Sequence, residues 1–500
     1  MLAWTIYISF FGAALQLLLP KGKDTLARTL ALLTAFAGLC IAVTSFVQHR
    51  TGELILVASH AWIPALGIRF NLAADGISLA LILLTGIVAV AGVLFSWNID
   101  RRTTEFFAFY LLLIGCVYGV FLSYDLFLLF VFYEIVIIPK YFLITGWGST
   151  RKDYGAMKLA LYSFIGSAMV LVGLIAAYVA AGSKSMALND LAGFTFSPHF
   201  QMWEFPLVFL GFAILAGLWP FHTWAPTGHV AAPTAVSMLL AGVVMKLGAY
   251  GCLRVAMTLF PHGLDPWGFS LVGLGSWRDV FALLAVIGIV YGALVAMVQQ
   301  DFKFVIGYSS VSHMGFILLG LMTLNQIGIS GAIIQMFSHG ILAGLLFATV
   351  GRMVYDRTHT RELSKLGPMN LNKAIPFAAI TFVVAGMAGM GLPGFSGFVA
   401  ELMILVGYWR AFPVFAVFVG IGIVIGVVYV WRAMQKAFFS EPGDVFAHEP
   451  LPPITIAERL GATILICTSV AIGLYPQMLL KIITPALNSP LFDGVRKGGW

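Results

Sequence analysis

Leu218-Trp219-Pro220-Phe221-His222-Thr223-Trp224-Ala225-Pro226, followed by His229 and Pro233, interrupts an apolar run over residues 205–231. A second interruption, Gly389-Met390-Gly391-Leu392-Pro393-Gly394-Phe395-Ser396-Gly397, lies inside the apolar run 375–409. Proline removes a backbone donor and glycine loosens a helix, so each stretch reads as a membrane span that unwinds part-way across. The alternative is a pair of ordinary proline kinks. Composition supports the membrane setting: 60% of the 500 residues are hydrophobic and 10% are charged, against roughly 45–50% and 25% in soluble domains. A soluble enzyme, a disordered chain and a disulfide scaffold are excluded.

A helix needs about 20 residues to cross a hydrocarbon layer about 30 Å thick. Fourteen runs meet that length: 2–19, 25–47, 75–97, 105–122, 125–146, 156–181, 205–231, 232–258, 278–299, 303–322, 326–350, 375–409, 412–438 and 456–482. They are continuously apolar rather than alternating, which excludes a β-barrel. The fold expected is an all-α polytopic membrane protein of about fourteen transmembrane helices. Its seventh and twelfth are broken. Five spans separate the breaks, a spacing that predicts two inverted five-helix repeats. The expected divisions are helices 1–3 in 1–104, a first repeat in 105–260, a second in 261–440, and helix 14 with its tail in 441–500. Residues 1–19 lack a basic start and an A-x-A site, so a first span is expected rather than a signal peptide.

Loop charge sets the orientation. Odd-numbered loops hold seventeen Lys and Arg, counting Lys21, Lys158 and Lys303; even loops and the C-terminal tail hold nine, counting Arg254 and Lys497. By the positive-inside rule the odd loops are cytoplasmic, and both termini lie on the outer side of the cell's inner (cytoplasmic) membrane. The net charge of +7 then reflects loop cations rather than a nucleic-acid partner. Cys40, Cys116, Cys252 and Cys467 show no paired or metal-ligand spacing and read as buried small side chains.

Four charges do not fit in loops or at span ends: Glu134, Lys140, Lys246 and Glu401. Each costs at least about 2.5–3.5 kcal/mol at membrane depth, which points to an ion pathway. Asp75, Asp125 and Asp301 fall at span ends. Glu134 can load and release a proton as a charged partner moves; a structural interhelical hydrogen bond is its bland alternative. Lys246 sits mid-span, beyond easy snorkelling, so water or a polar partner must reach it. His313 and His339, with serines beside them, can pass a proton between ring nitrogens, although a lone membrane histidine is often only hydrogen-bonded to backbone. Glu401 follows the second break and would face any cavity there. His222 and His229 flank the first break, as relay groups or as caps of the break. The GxGxxG match at 389–394 precedes no βαβ unit and is discarded. No Walker, zinc, haem or serine-hydrolase motif appears, so no cofactor or metal is expected in this chain.

Phe132-Tyr133-Glu134 through Pro139, His222-Thr223-Trp224-Ala225-Pro226 with His229, Met245-Lys246-Leu247-Gly248-Ala249-Tyr250-Gly251, Ser309 to Gly315, and Tyr355-Asp356-Arg357-Thr358-His359-Thr360-Arg361 resemble the antiporter-like membrane subunits of proton-pumping NADH:quinone oxidoreductase (respiratory complex I). The resemblance covers roughly residues 70–480, and the 355–361 loop is closest to the chain 4 (subunit M) branch. It implies proton translocation through Glu134, Lys246, His313, His339 and Glu401. It also implies neighbouring antiporter-like subunits and the lipid bilayer as partners, with flavin, iron–sulfur clusters and quinone in other subunits. In one respect the sequence departs from the family. Where the family carries a seventh-helix lysine that pairs with the fifth-helix glutamate, this chain has Leu215. Lys140, six residues beyond Glu134 and about 9 Å along the helix, is a candidate replacement; an ammonium at the cytoplasmic surface would rule it out. Two rival readings stand beside this one. They are a subunit of a multi-protein sodium/proton antiporter, and a structural arm subunit whose pump has degenerated at Leu215.

Overall fold

The computed structural model describes residues 1–20, 22–268, 273–441 and 451–496; Lys21, Lys497 and part of the 441–500 division lie outside the described residues. Among the described residues, twelve helices are long and apolar enough to cross a membrane, and Trp4–Leu18, Pro376–Gly389 and Gln477–Leu487 are shorter apolar helices. The most apolar stretches of Gly76–Phe95, Thr234–Leu259 and Gln326–Thr358 are buried inside the bundle and form its centre. Asp75, Asp125 and Asp301 each accept two backbone N–H bonds at the start of a helix, which satisfies donors that lipid would leave bare.

Both interruptions are real breaks. Pro198–Ala216 ends at Gly217, whose φ of +82° only glycine adopts without strain. The chain is irregular over 218–223 and resumes as Trp224–Ala231. Pro376–Gly389 gives way to an irregular stretch over 390–395, with Gly391 at φ +72°, before Ser396–Ala411. The Thr234–Leu259 helix has a different irregularity: π-helical turns at Leu240–Val244 and Cys252–Ala256 bracket the α-helical Met245–Gly251.

Loops sort onto two faces. On one, Arg361 donates to Thr150 Oγ1 at 3.0 Å, and Asp301 pairs with Glu362 in an isolated bridge. Trp147 there donates to the Arg101 carbonyl at 2.6 Å. These are the odd loops. Glu458, 1% exposed, is held there by Arg352 Nε and Arg357 Nη2, each at 2.7 Å. The opposite face carries an antiparallel β-hairpin, Ile55–Ile63 with Ile68–Ala74, and the C-terminal helices that pack under it. We call it the hairpin face.

Several expectations need correction. A β-hairpin in the loop between the second and third spans adds one strand pair to the helical fold, turned by Pro64–Leu66 and Gly67 at φ +65°. The last run, 456–482, is two helices, Ile456–Leu474 and Gln477–Leu487, because Pro476 cannot donate to continue the first. Lys158, Lys303 and Arg254, counted as loop cations, lie within helices Lys152–Ala180, Phe302–Met322 and Thr234–Leu259. Lys303 and Arg254 are buried. Cys116 and Cys252 are buried as expected, but Cys40 and Cys467 are exposed on outward helix faces. A lipid-facing surface is as apolar as a core, so hydropathy does not separate them.

Candidate functional site

Lys246 is completely buried. Its Nζ is hydrogen-bonded to His339 Nδ1 at 2.7 Å and also donates to the Ala241 carbonyl. Helix Gln326–Thr358 sets His339 opposite it: Gly340 lies against the Gly242 carbonyl, an approach too close for any larger residue. The His339 and His313 ring centroids are 5.3 Å apart, with the planes inclined at 31°. Glu401 Oε1 then stands 3.3 Å from His313 Nδ1. Lys246, His339, His313 and Glu401 thus form one continuous line through the buried centre, contributed by four helices.

His313 Nδ1 has two partners. Gln335 Nε2 lies 3.2 Å from it and Glu401 Oε1 3.3 Å. Without its proton Nδ1 accepts from the Gln335 amide; with a proton it donates to the carboxylate instead. A small cavity lined by Ser312, His313, Met390, Glu401 and Tyr429 adjoins it, and Ser309 Oγ and Tyr429 OH meet at 2.6 Å beside it.

The remaining candidates are distributed around this line. His229 is fully buried, and neither ring nitrogen meets a hydrogen-bond partner. Its ring packs 5.1 Å from Phe347 and 6.2 Å from Trp224, within electrostatic reach of Lys246 and of Lys303. Lys303, expected in a loop, is buried and donates to the Ala232 carbonyl at 2.6 Å. A lysine two residues into a helix gives no sequence signal of that depth. His222 stands apart, its ring 5.2 Å from Tyr291 and 6.3 Å from Tyr308. It is not brought to the Lys246 line.

Glu134 and Lys140 form a second, separate centre. The helix between them is kinked at Val136, which splits it into Leu126–Ile135 and Ile137–Trp147. Lys140 is 0% exposed and donates to Ser163 Oγ at 2.8 Å. Its charge acts on Glu134 over a gap longer than a direct ion pair, and Ser167, one helical turn past Ser163, faces the carboxylate. Glu134 Oε1 is buried with no hydrogen-bond partner. Leu215 is buried where Pro198–Ala216 packs against Gly248.

Sequence reasoning missed one pair altogether. Arg254 Nη2 meets Asp75 Oδ1 at 2.6 Å with both side chains buried. Asp75 was legible as a span-end carboxylate, but nothing in the sequence joined it to a cation 179 residues away. Among the described residues no group of His, Cys, Asp and Glu has the geometry to hold a metal ion.

Residues 123–426 match the family model described as NADH:quinone oxidoreductase/Mrp antiporter, TM. NADH-quinone oxidoreductase subunit M of Rhodobacter capsulatus is 35% identical over 445 residues, covering 86% of this chain and 83% of that one. The subunit of the same name from Pseudomonas aeruginosa is 34% identical over 513 residues, covering 97% and 96%. Among solved structures, a chain of respiratory complex I from Thermus thermophilus superposes with a TM-score of 0.88 at 25% identity, covering 100% of both chains. A chain of the Mrp complex from Dietzia sp. gives 0.85 at 21% identity, covering 98% and 97%, a likeness of fold.

Proposed function

The chain belongs to the NADH:quinone oxidoreductase/Mrp antiporter transmembrane family, and from that premise we propose that its buried axis moves protons in the membrane arm of an NADH:quinone oxidoreductase. It is a multi-pass subunit of that enzyme. Its partners are the neighbouring antiporter-like subunits and the lipid bilayer, not nucleic acid. Flavin, iron–sulfur clusters and quinone belong to other subunits, and this chain contributes no redox group. The hairpin face and both termini point outward, as the excess of Lys and Arg in the odd loops favours.

The observation that carries the proposal is the unbroken contact line from Lys246 through His339 and His313 to Glu401. Lys246 takes a proton arriving from the odd-loop face, with His229 and Lys303 beside the way in. His339 and one bridging water pass it to His313. The ring then exchanges its Gln335 partner for Glu401, which releases the proton outward. Coupling to the partner subunits is electrostatic, because a charge gained at Lys246 alters what Glu401 on one side and the Glu134 centre on the other will bind. Lys140 supplies the cation that Leu215 does not. The twin breaks support the two-repeat reading, with divisions near 105–260 and 261–440.

Lys246→Ala is expected to lower NADH-driven proton translocation by the assembled complex at least about tenfold, the equivalent of about 1.4 kcal/mol. An unchanged number of protons per electron would overturn the proposal. The antiporter reading predicts sodium-driven exchange without NADH oxidation. Co-purification of flavin- and iron–sulfur-bearing partners decides against it.

A further inference from the structure

A cavity of about 570 Å³ opens on the hairpin face. Asn189, His262 and Asp493 stand at its exposed rim, and Tyr124, Thr258 and Asp75, all buried, form its inner end. None of the proton line just described reaches it. Asn189, Thr195, Gln201, Thr258 and His262 give its lining polar atoms from rim to inner end, which marks it as a place that water enters.

The inner end is closed by charge. Arg254 Nη2 is 2.6 Å from Asp75 Oδ1, and its Nη1 lies 3.3 Å from Tyr124 OH. The guanidinium is also packed against the rings of Tyr124, Tyr250 and Phe492, each within 5.7 Å. Arg254 Nε remains buried with no partner. A purely structural ion pair would be expected to satisfy every donor; here one is left over.

Behind the pair the polar groups continue inward. Tyr250 OH and Ser78 Oγ meet at 3.1 Å, one turn deeper. Lys246, Tyr250 and Arg254 follow one another at four-residue intervals on the helix, so Arg254 stands about 12 Å along the axis from the relay lysine, on roughly the same face.

We propose that the Arg254–Asp75 pair is the outer gate of a second aqueous access route, running from the hairpin-face cavity through Tyr250 and Ser78 toward Lys246. Closed, the fixed guanidinium excludes cations from the route behind the cavity and keeps the lysine from exchanging protons directly with that side. Its identity as a gate for protons rests on the function proposed above; its identity as a seal does not. Arg254 acts through the lysine's access to water and is a positioning residue.

Two measurements test it. The first uses the assembled complex with Cys40 and Cys467 replaced by alanine and asks whether a membrane-impermeant maleimide reaches Ser78→Cys from the hairpin face. Asn189→Cys at the rim is expected to react readily and Ser78→Cys at least tenfold more slowly, with Arg254→Gln abolishing most of that difference. Equal reactivity of the two cysteines in the native background means there is no seal and overturns the proposal. The second is passive proton leak through liposomes holding the complex, without NADH. Arg254→Gln is expected to raise it several-fold, and exchange of the pair, Asp75→Arg with Arg254→Asp, to restore it. An assembled Arg254→Gln complex as proton-tight as the native one overturns the proposal. Should Arg254→Gln not assemble, Asp75→Asn is read in the same two assays. A native labelling difference with unchanged pumping in Lys246→Ala overturns the proposed function and leaves the seal standing, which keeps the two proposals distinct.

Discussion

The two broken helices use one device in two settings. In each, a glycine in the left-handed region ends the first half-helix, and a short irregular stretch precedes the second. The first break is the more enclosed: Leu218 and His222 are buried with only Pro220 exposed between them, and a Cβ on Gly217 would meet only the flexible end of Met245. The second is half open, with Leu392 and Pro393 exposed, and a Cβ on Gly391 would stand 2.7 Å from Glu401 Oε2. So one break is surrounded by aromatic rings and holds no ion pair, while the other holds a carboxylate in contact with His313 across two helices. A break supplies irregular backbone; the chemistry depends on what the neighbouring helices aim at it.

If that is right, charge removal at the second break costs far more than at the first. Glu401→Gln is expected to cut proton translocation by the assembled complex about tenfold and His222→Asn by less than about twofold, a gap of about 1 kcal/mol. Proton-to-electron ratios in vesicles measure it, and equal losses would break the comparison. A middle effect is expected on the first side. Lys140→Met should lower translocation about threefold. Adding Leu215→Lys should return most of it, since that position lies in the buried run just before Gly217. No recovery would mean that Lys140 serves Ser163 alone. The smallest effect separates the glycines themselves. Gly217→Ala and Gly391→Ala each force a Cβ into the left-handed region at about 1 kcal/mol, read as an equal loss of stability in unfolding by detergent. Only Gly391→Ala should also slow translocation, by displacing Glu401.

Most of this molecule's plan could be read from residues alone, and the reasons are physical. Continuous apolar runs admit only helices in lipid, and proline with glycine marks where those helices open. Lys246 and Glu401 stood out because a charge at that depth has no bland explanation that costs little. Arg254 escaped notice because it lies at the end of an apolar run, where a snorkelling cation is ordinary, and its acid is far away in sequence. Lys303 was hidden by the same ambiguity. The hairpin between Ile55 and Ala74 was missed because strands of nine and seven residues are shorter than the span length over which hydropathy is averaged.

Lys246 rides on seven residues, Met245–Gly251, mounted between two π-helical turns. Each wide turn holds one residue more than an α-helical turn needs, and one residue corresponds to about 100° of rotation. A rigid cylinder between two such joints is a swivel: slack handed from one joint to the other turns the middle piece about its own axis while both ends stay fixed. The ammonium can thereby leave His339 with the backbone ladder kept intact. Deleting one residue within 240–244 takes out that play, and translocation that survives the deletion unchanged would show that the lysine never turns.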